Sequence, residues 1–505
     1  MAATSASIGC GPSNGMSSGS HFPNLAAWNP EPLRTALRRG GLHRANLESL
    51  GLPERWLRSS APRAALLGHA PQGSSVETLI RLFMLGDSLD GGLVLGVLGE
   101  AAQGLLELGF LQAGGGKVRS LYQIFPIGDG WQACDFHQRQ GEDADDYAMG
   151  IGPSSILLRS LTPVVKGRAL ELACGGGWLS GGLRRAGMDV TATDLNLRAL
   201  ELARFSARLN GIEGIDFRQG DGFSAVRGET FDLIAANPPY VQSPGGNMTY
   251  REAPAGDPIC ARLLREIPDH LAPGGIAVML LNWMHETDEN WTEKPLSWVS
   301  PEGTQRWLFQ SDCSSPADYA WTWISNDLRF KDEQSADAEM RRWLEFYQAN
   351  GVKRISAGFM VIRKCEPGGE WTRTESRAAE NLTTDAWRDV LRVLASETWL
   401  ASGPDLLDTR FSVPDGVHAE VGMALGAGGW ARETIRLTSP ARLSYDGQID
   451  ENILRLLAIV REGKAPSAML REIREKPEFA AIPDLEERIA GLVRELVSHG
   501  MLVPM

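Results

Sequence analysis

The period of the apolar positions changes along the chain, and those changes divide it. Leu79, Ile80, Phe83 and Met84 recur at helical spacing, and a second helical run from Leu98 to Leu108 stops at Gly109. KVRSLYQIFPIGDGWQACDF (117–136) then alternates apolar and polar residues around Gly128-Asp129-Gly130, which predicts a β-hairpin. Helices followed by a hairpin suggest a winged-helix-like domain over about 46–137. From about 138 to 368, short apolar runs alternate with amphipathic helices: RALELA (168–173), MDVTAT (188–193), IDFRQ (215–219), FDLIAA (231–236) and GIAVMLL (275–281). Strand-length runs separated by helices predict βαβ units and a parallel sheet. AEMRRWLEFYQANG (338–351) reads as a helix and RISAGFMVIRK (354–364) as a strand. The remainder, 369–505, reads as an α+β domain with short strands around 417–437 and helices from about 450 to 499. Its SHGML (498–502) echoes ELGFL (107–111), so a second winged-helix-like module is an open reading there. Residues 1–45, rich in Ser, Gly, Asn and Pro, read as a disordered tail.

Composition narrows the class. The 505 residues carry 50 Lys plus Arg against 63 Asp plus Glu, a net charge of −13, which makes broad gripping of nucleic-acid phosphates a poor fit. A local basic groove remains compatible with that sum. The longest apolar stretch, Leu93 to Leu111, is interrupted by Glu100, Gln103 and Glu107, so no membrane span is expected. None of the six cysteines forms a CxxC pair or stands at ligand spacing from a His, so no metal site and no disulfide framework is expected. The first residues lack a basic segment and an apolar core, which argues against a secretory signal. A cytoplasmic protein is the expectation.

The chemistry concentrates in LELACGGGWLSGGL (170–183), where a strand enters a Gly-rich turn and a helix opens. Glycines there let the backbone turn sharply and let a ligand approach without a Cβ in the way. A second strand ends at Asp194, 23 residues beyond Glu171, where a carboxylate can accept hydrogen bonds from ribose hydroxyls. That pairing would also suit a dinucleotide, but the spaced third glycine of a dinucleotide fingerprint is missing. A third strand ends in GDGF (220–223), placing Asp221 toward an adenine edge, and a fourth ends in Asn237-Pro238-Pro239-Tyr240.

With NPPY at 237–240, the chain resembles the class I S-adenosylmethionine-dependent methyltransferases, in particular the HemK-like, small-methyltransferase-domain branch that methylates amino groups. The residues that carry the likeness are LELACGGG (170–177), TDLN (193–196), GDGF (220–223) and IAANPPY (234–240). Two departures are small: Ala173 stands where a Gly is usual, and Glu171 where Asp is common. The resemblance implies a seven-stranded, doubly wound Rossmann-like sheet flanked by the two α+β domains. It implies S-adenosyl-L-methionine as cofactor, held by Glu171, Ala173, Cys174, Gly175, Gly177, Asp194, Leu195, Asp221, Gly222 and Asn237. Asn237, Pro238, Pro239 and Tyr240 would be catalytic, and no metal is required. Tyr147, in the segment 142–158, would pack on the methionine end of the cofactor.

The residues themselves support a role for NPPY. An amide or aromatic amine is a poor nucleophile because its lone pair is delocalised. If the Asn237 side-chain carbonyl and the Pro238 backbone carbonyl both accept its N–H groups, the lone pair is aimed at the methyl group, and the developing positive charge is stabilised. The prolines stiffen the loop, and Tyr240 offers a flat face to a planar group. The substrate stays open: a glutamine side chain of a protein leads, and the exocyclic amine of a base in RNA or DNA is the alternative. A non-catalytic scaffold that binds S-adenosylmethionine is the reading from another class. MTYREAPAGD (248–257) is a candidate substrate-recognition loop or a solvated one. The Trp-rich stretch from Trp283 to Trp307 reads as packing.

Overall fold

The computed structural model describes residues 22–52, 62–142, 146–245, 258–325, 327, 330, 332–378, 382–426, 429–475 and 484–505. At its centre lies a sheet of β1 (Arg168–Leu172), β2 (Asp189–Asp194), β3 (Ile215–Gln219), β4 (Phe231–Ala236), β5 (Leu271–His285), β6 (Thr304–Ser314), β7 (Arg354–Lys364) and β8 (Trp371–Ser376). The order across it is β8-β6-β7-β5-β4-β1-β2-β3. Only β7 runs antiparallel to its neighbours. Leu233, Ile234, Ala235 and Ala236 of β4 are all fully buried, as a central strand covered on both faces requires. The helices that matter for the site are α1 (Pro153–Leu161), α2 (Trp178–Arg185), α3 (Leu197–Leu209), α4 (Ile259–His270), α5 (Pro316–Ile324) and α6 (Glu333–Ala349). The chain leaves β1 for β2 on one side and returns to β4 on the other, which opens a crevice at the carboxyl ends of β1 and β4.

The sheet has an eighth strand in addition to the seven expected. β8 lies past residue 368 and pairs in parallel with β6, from Gln305↔Trp371 to Gln310↔Ser376. Its alternating half-buried and exposed residues cover the outer edge of β6, a strand whose TQRWLFQ core is buried without alternation.

The segment expected to be a disordered tail through residue 45 is ordered from Phe22 onward, with a helix at Glu31–Arg39; residues 1–21 lie outside the described residues. The physical reason is a set of apolar anchors spaced within polar sequence. Phe22, Leu33 and Leu37 are buried, and Trp28 stacks on Phe205 of α3 with ring centroids 4.8 Å apart. Phe110 stacks on the same ring at 4.5 Å. The N-terminal unit therefore shares one core with α3.

The predicted hairpin forms at Gln123–Ile127 and Gly130–Cys134. Lys117–Ser120 belongs instead to a three-stranded sheet with Leu89–Asp90 and Leu111–Gly114. The alternation breaks at Leu121-Tyr122, where the Ser120 hydroxyl donates to the Tyr122 carbonyl at 2.5 Å and turns the chain. In the C-terminal region, Val503–Pro504 pairs with Phe411–Ser412, and helices span Glu451–Arg461, Ser467–Arg474 and Leu485–Ser498. Gly109 and Gly500 both follow a helix with positive φ, so the two similar segments end their helices alike. Among the described residues, no helix is long and apolar enough to cross a membrane.

Candidate active site

The turn from β1 into α2 is built on left-handed backbone: φ is +52° at Ala173, +50° at Gly175 and +70° at Gly177. A Cβ at Gly177 would lie 3.0 Å from the Ala203 Cβ, so α2 and α3 can approach only over glycine. A Cβ at Gly176 would lie 2.4 Å from the Gln132 Nε2, which donates to the Gly176 carbonyl at 2.6 Å. Gln132 comes from the N-terminal hairpin, so that unit directly supports the turn. Ala173 is the strained position. Ala173→Gly is expected to stabilise the fold by about 1 kcal/mol, because Cβ crowding disappears where φ is positive; a raised Tm in thermal scanning checks it.

Below the turn, the Glu171 carboxylate accepts from the Ser180 backbone N–H at 2.7 Å and from the Ser180 hydroxyl. Burial outweighs these bonds and pushes its pKa from 4.5 up to about 7. The folded protein thus holds a proton on Glu171 that the unfolded chain releases. Stability from this group is complete below pH 4.5 and lost as pH rises through 7. Glu171→Gln is expected to flatten the fall in Tm between those pH values, which a pH series of thermal scans measures. Cys174 is buried, and its thiol is pushed well above the usual range.

At the end of β2, the Asp194 Oδ2 accepts from the Gly175 N–H at 2.7 Å and its Oδ1 from the Asn196 N–H at 2.8 Å. This carboxylate therefore fastens the Gly-rich turn to the head of α3; burial raises its pKa, and the backbone donors oppose that rise. The Asn196 side chain caps α3 by accepting from the Arg198 and Ala199 N–H groups. Leu195 is 67% exposed and forms an apolar rim. Asp221, expected near an adenine edge, lines the same cleft, but its carboxylate is held by both Arg262 nitrogens at 2.6 and 2.8 Å. Gly222 has φ +54°, and a Cβ there would lie 3.0 Å from the Leu263 Cδ2.

Asn237, Pro238, Pro239 and Tyr240 follow β4 and line the same cleft, whose volume is about 780 Å³. The Asn237 Nδ2 donates to the Ser154 hydroxyl oxygen at 3.1 Å. Its Oδ1 is buried and has no hydrogen-bond partner. Burial raises the Tyr240 phenol pKa, and the neighbouring Ser154 hydroxyl opposes that rise. Beyond the motif, α5 and α6 clamp the loop: the Gln242 N–H donates to the Tyr319 hydroxyl at 3.2 Å, and the Tyr347 hydroxyl donates to the Gln242 carbonyl at 2.7 Å. The Asn282 Nδ2 donates to the same Tyr319 hydroxyl at 2.7 Å.

All the residues singled out in the sequence except Gly177 line this one cleft, as does Tyr147. Ser154, Gln132, Asn196 and Trp323 line it too and were missed. Gly152-Pro153-Ser154 does carry the signal of a helix start, but nothing in it points across to Asn237. The segment 248–257 lies outside the described residues. Trp283 and Trp307 are buried in the core. Among the described lining residues there is no Lys, and the single Arg, Arg198, is bound to Asp135 at 2.6 Å. Asp146, Glu171, Asp194 and Asp221 supply the acidic side.

Residues 150–292 match the model of the methyltransferase small domain, and 392–504 match a domain of unknown function (DUF7782). The ribosomal protein uL3 glutamine methyltransferase of Bradyrhizobium diazoefficiens is 30% identical over 34% of this chain and 57% of its own. The release factor glutamine methyltransferase of Xylella fastidiosa is 36% identical over 23% of this chain and 42% of its own. The ribosomal RNA small subunit methyltransferase C of Salmonella arizonae is 36% identical over 24% of this chain and 33% of its own. The chain thus spans between 33% and 57% of the length of these relatives.

Proposed function

Because residues 150–292 form a methyltransferase small domain of the class I S-adenosylmethionine-dependent type, we propose that the chain transfers a methyl group to a planar NH2 group, with a protein glutamine side chain as the leading substrate. The observation that carries this reading is the buried, unpartnered Asn237 Oδ1 in the wall of the cleft. A buried acceptor without a donor is costly, and a substrate N–H would relieve it. The Pro238 carbonyl would take the second N–H, and Tyr240 would bound the planar group on one face.

The donor set fits S-adenosyl-L-methionine. That cofactor carries a sulfonium and an ammonium. Of the four acidic groups in the lining, Asp146 and Asp221 are paired with Arg139 and Arg262, Glu171 favours its protonated form, and the Asp194 carboxylate is held by backbone N–H groups. The described lining residues include no unpaired cation. Asp194 would accept from the ribose hydroxyls, Leu195 and Gly222 would bound the base, and Glu171 with the turn at Ala173–Gly177 would hold the methionine end. Bound there, the cofactor supplies an electrophilic methyl group. The protein's own part is to orient the nitrogen lone pair, stabilise the growing charge and keep water out.

An acidic and aromatic cleft favours an uncharged amide over a phosphate-bearing substrate. Two of the three relatives carry glutamine methyltransferase in their names, and the third is named for ribosomal RNA. We read the chain as cytoplasmic, where its free thiols stay reduced. The test is incubation of the full chain with labelled methyl donor and cell extract, followed by separate protease and nuclease digestion. Release of label by protease is the expected result. Release by nuclease would favour the base-methylating alternative, and cofactor binding without any transfer would favour a scaffold.

A further inference from the structure

We propose that the chain pairs with a second copy of itself through the free edge of the strand His418–Gly426. That strand and Gly429–Thr438 form an antiparallel ribbon in the C-terminal region, and Asp446–Gln448 pairs with the far side of Gly429–Thr438. Among the described residues, no strand lies along the outer edge of His418–Gly426. Cross-strand partners share a face, so Val421, Met423 and Leu425 lie with Ile435, Arg432 and Trp430 on one side of the ribbon. At the root of the ribbon this face is covered, since Ile435 and Leu437 are buried. Beyond the root it is open: Val421, Met423, Leu425 and Trp430 are 46, 49, 67 and 68% exposed. The opposite face carries small or polar residues, among them Gly422, Ala424, Ala431 and Thr434. Large apolar side chains gathered in the open on one face mark a contact surface.

The backbone of the same residues is turned outward. The Ile449 N–H donates to the Ile435 carbonyl at 2.9 Å, so Ile435 directs its backbone away from the outer strand. Its partner Val421 therefore directs its own N–H and C=O to the open side, and by alternation so do Met423 and Leu425. The ribbon's register shift leaves Glu433 as an extra residue on the inner strand, so the alternation of the outer strand is unbroken. Free edges are ordinarily guarded by Lys, by Pro or by a bulge in the edge strand. His418–Gly426 has none of these over its nine residues.

Shape and charge select a second copy as the occupant. In an antiparallel pairing whose twofold axis passes through Met423, that residue faces the partner's Met423, and Val421 faces the partner's Leu425. All three large side chains then meet a large one, whereas a one-step shift either way sets one of them against an alanine. Glu420 is paired with Arg442 at 3.7 Å and lies opposite the partner's Gly426. Six residues of strand then hold the two Glu420 carboxylates about 20 Å apart, well beyond the screening length of about 8 Å. Arg432 is likewise paired within its own chain, with Glu451. The interface thus receives no uncompensated charge from the ribbon face, and its two halves are the same patch, as a closed twofold dimer requires.

The test is the mass of the full chain in solution, by size exclusion with light scattering, for the parent and three variants. The parent is expected at twice its chain mass. Met423→Lys sets two like charges on the axis; it is expected at the single-chain mass with an unchanged far-UV circular dichroism spectrum. Met423→Cys is expected to give a disulfide-linked dimer on mild oxidation. Opposed residues that exchange both hydrogen bonds lie about 5.5 Å apart at Cα, within disulfide reach. Ala424→Cys points to the other face and lies opposite the partner's Gly422. It is expected to cross-link no more than the parent, whose exposed Cys313 sets the background. A parent at the single-chain mass overturns the proposal, as does a dimer that persists in Met423→Lys. Equal cross-linking at 423 and 424 also overturns it, and if Met423→Lys fails to fold, the two cysteine variants decide. None of these readouts depends on methyl transfer, so the dimer and the reading of the cleft fail separately.

Discussion

Asn237→Ala is expected to lower methyl transfer by about two to three orders of magnitude, as loss of one preorganised acceptor at a reacting centre does. The affinity for S-adenosylhomocysteine is expected to change little, because the turn, Asp194 and Asp221 are untouched. The size follows from the timing of the interaction. A substrate amide nitrogen gains positive charge only as its lone pair leaves conjugation, so an acceptor facing it is worth more at the transition state than in the bound ground state. The same substitution removes a buried Oδ1 that lacks a partner in the free protein. The variant is therefore expected to be as stable as its parent or slightly more so, a stability–activity trade at a single atom. Thermal scanning beside the transfer assay checks both halves, and transfer within tenfold of the parent would remove Asn237 from the chemistry.

The second large effect lies away from the reacting centre. Asp135→Ala should destabilise the protein by about 3–5 kcal/mol, because it strands a buried guanidinium. Asp135 is completely buried; it binds Arg198 at 2.6 Å and accepts from the Ala148 N–H at 2.8 Å. Arg198 lies over the Tyr122 ring at 4.6 Å, and its side chain is only 8% exposed. Arg198 is in the first turn of α3, two residues past the Asn196 cap and four past Asp194, so loosening it should weaken S-adenosylhomocysteine binding as well. The paired change Asp135→Leu with Arg198→Met leaves no charge uncompensated and is expected to recover much of the lost stability. Unfolding midpoints of the two variants decide this; equal losses in the single and the paired variant would show that packing, not charge, dominates there.

The central sheet was readable because its strands are short, apolar and separated by helices of ordinary length. IDFRQ, FDLIAA and RISAGFMVIRK fold as strands over the residues named. β6 was harder to see, since TQRWLFQSDCS mixes polar residues with aromatics that are buried by neighbours from distant sequence. The ordering of residues 22–45 was hidden for a related reason. Phe22 and Trp28 look isolated in a polar stretch, and the rings that cover them, Phe205 with Phe110 and Tyr122, lie far along the chain. For the site, local motifs announced the glycine turn, Asp194 and NPPY. The side chains that hold those motifs in place did not show, because Gln132, Ser154 and Tyr319 act across sequence distances that no spacing rule spans. The role of Asp221 also depended on a remote partner: a lone carboxylate in the sequence is an Arg262-bound one in the fold.

The clamp on Gln242 has a further consequence. Its N–H and carbonyl are both occupied, by Tyr319 and Tyr347, and the Arg342 guanidinium donates to the Gly245 carbonyl at 3.1 Å. The backbone just past the NPPY tetrapeptide is thus fixed by α5 and α6 when the chain folds. Its loss of conformational entropy is incurred once, at synthesis, and does not recur with each substrate that arrives. A helical pair inserted between β6 and β7, distant in sequence from the acceptor loop, converts a recurring cost of binding into a standing property of the fold.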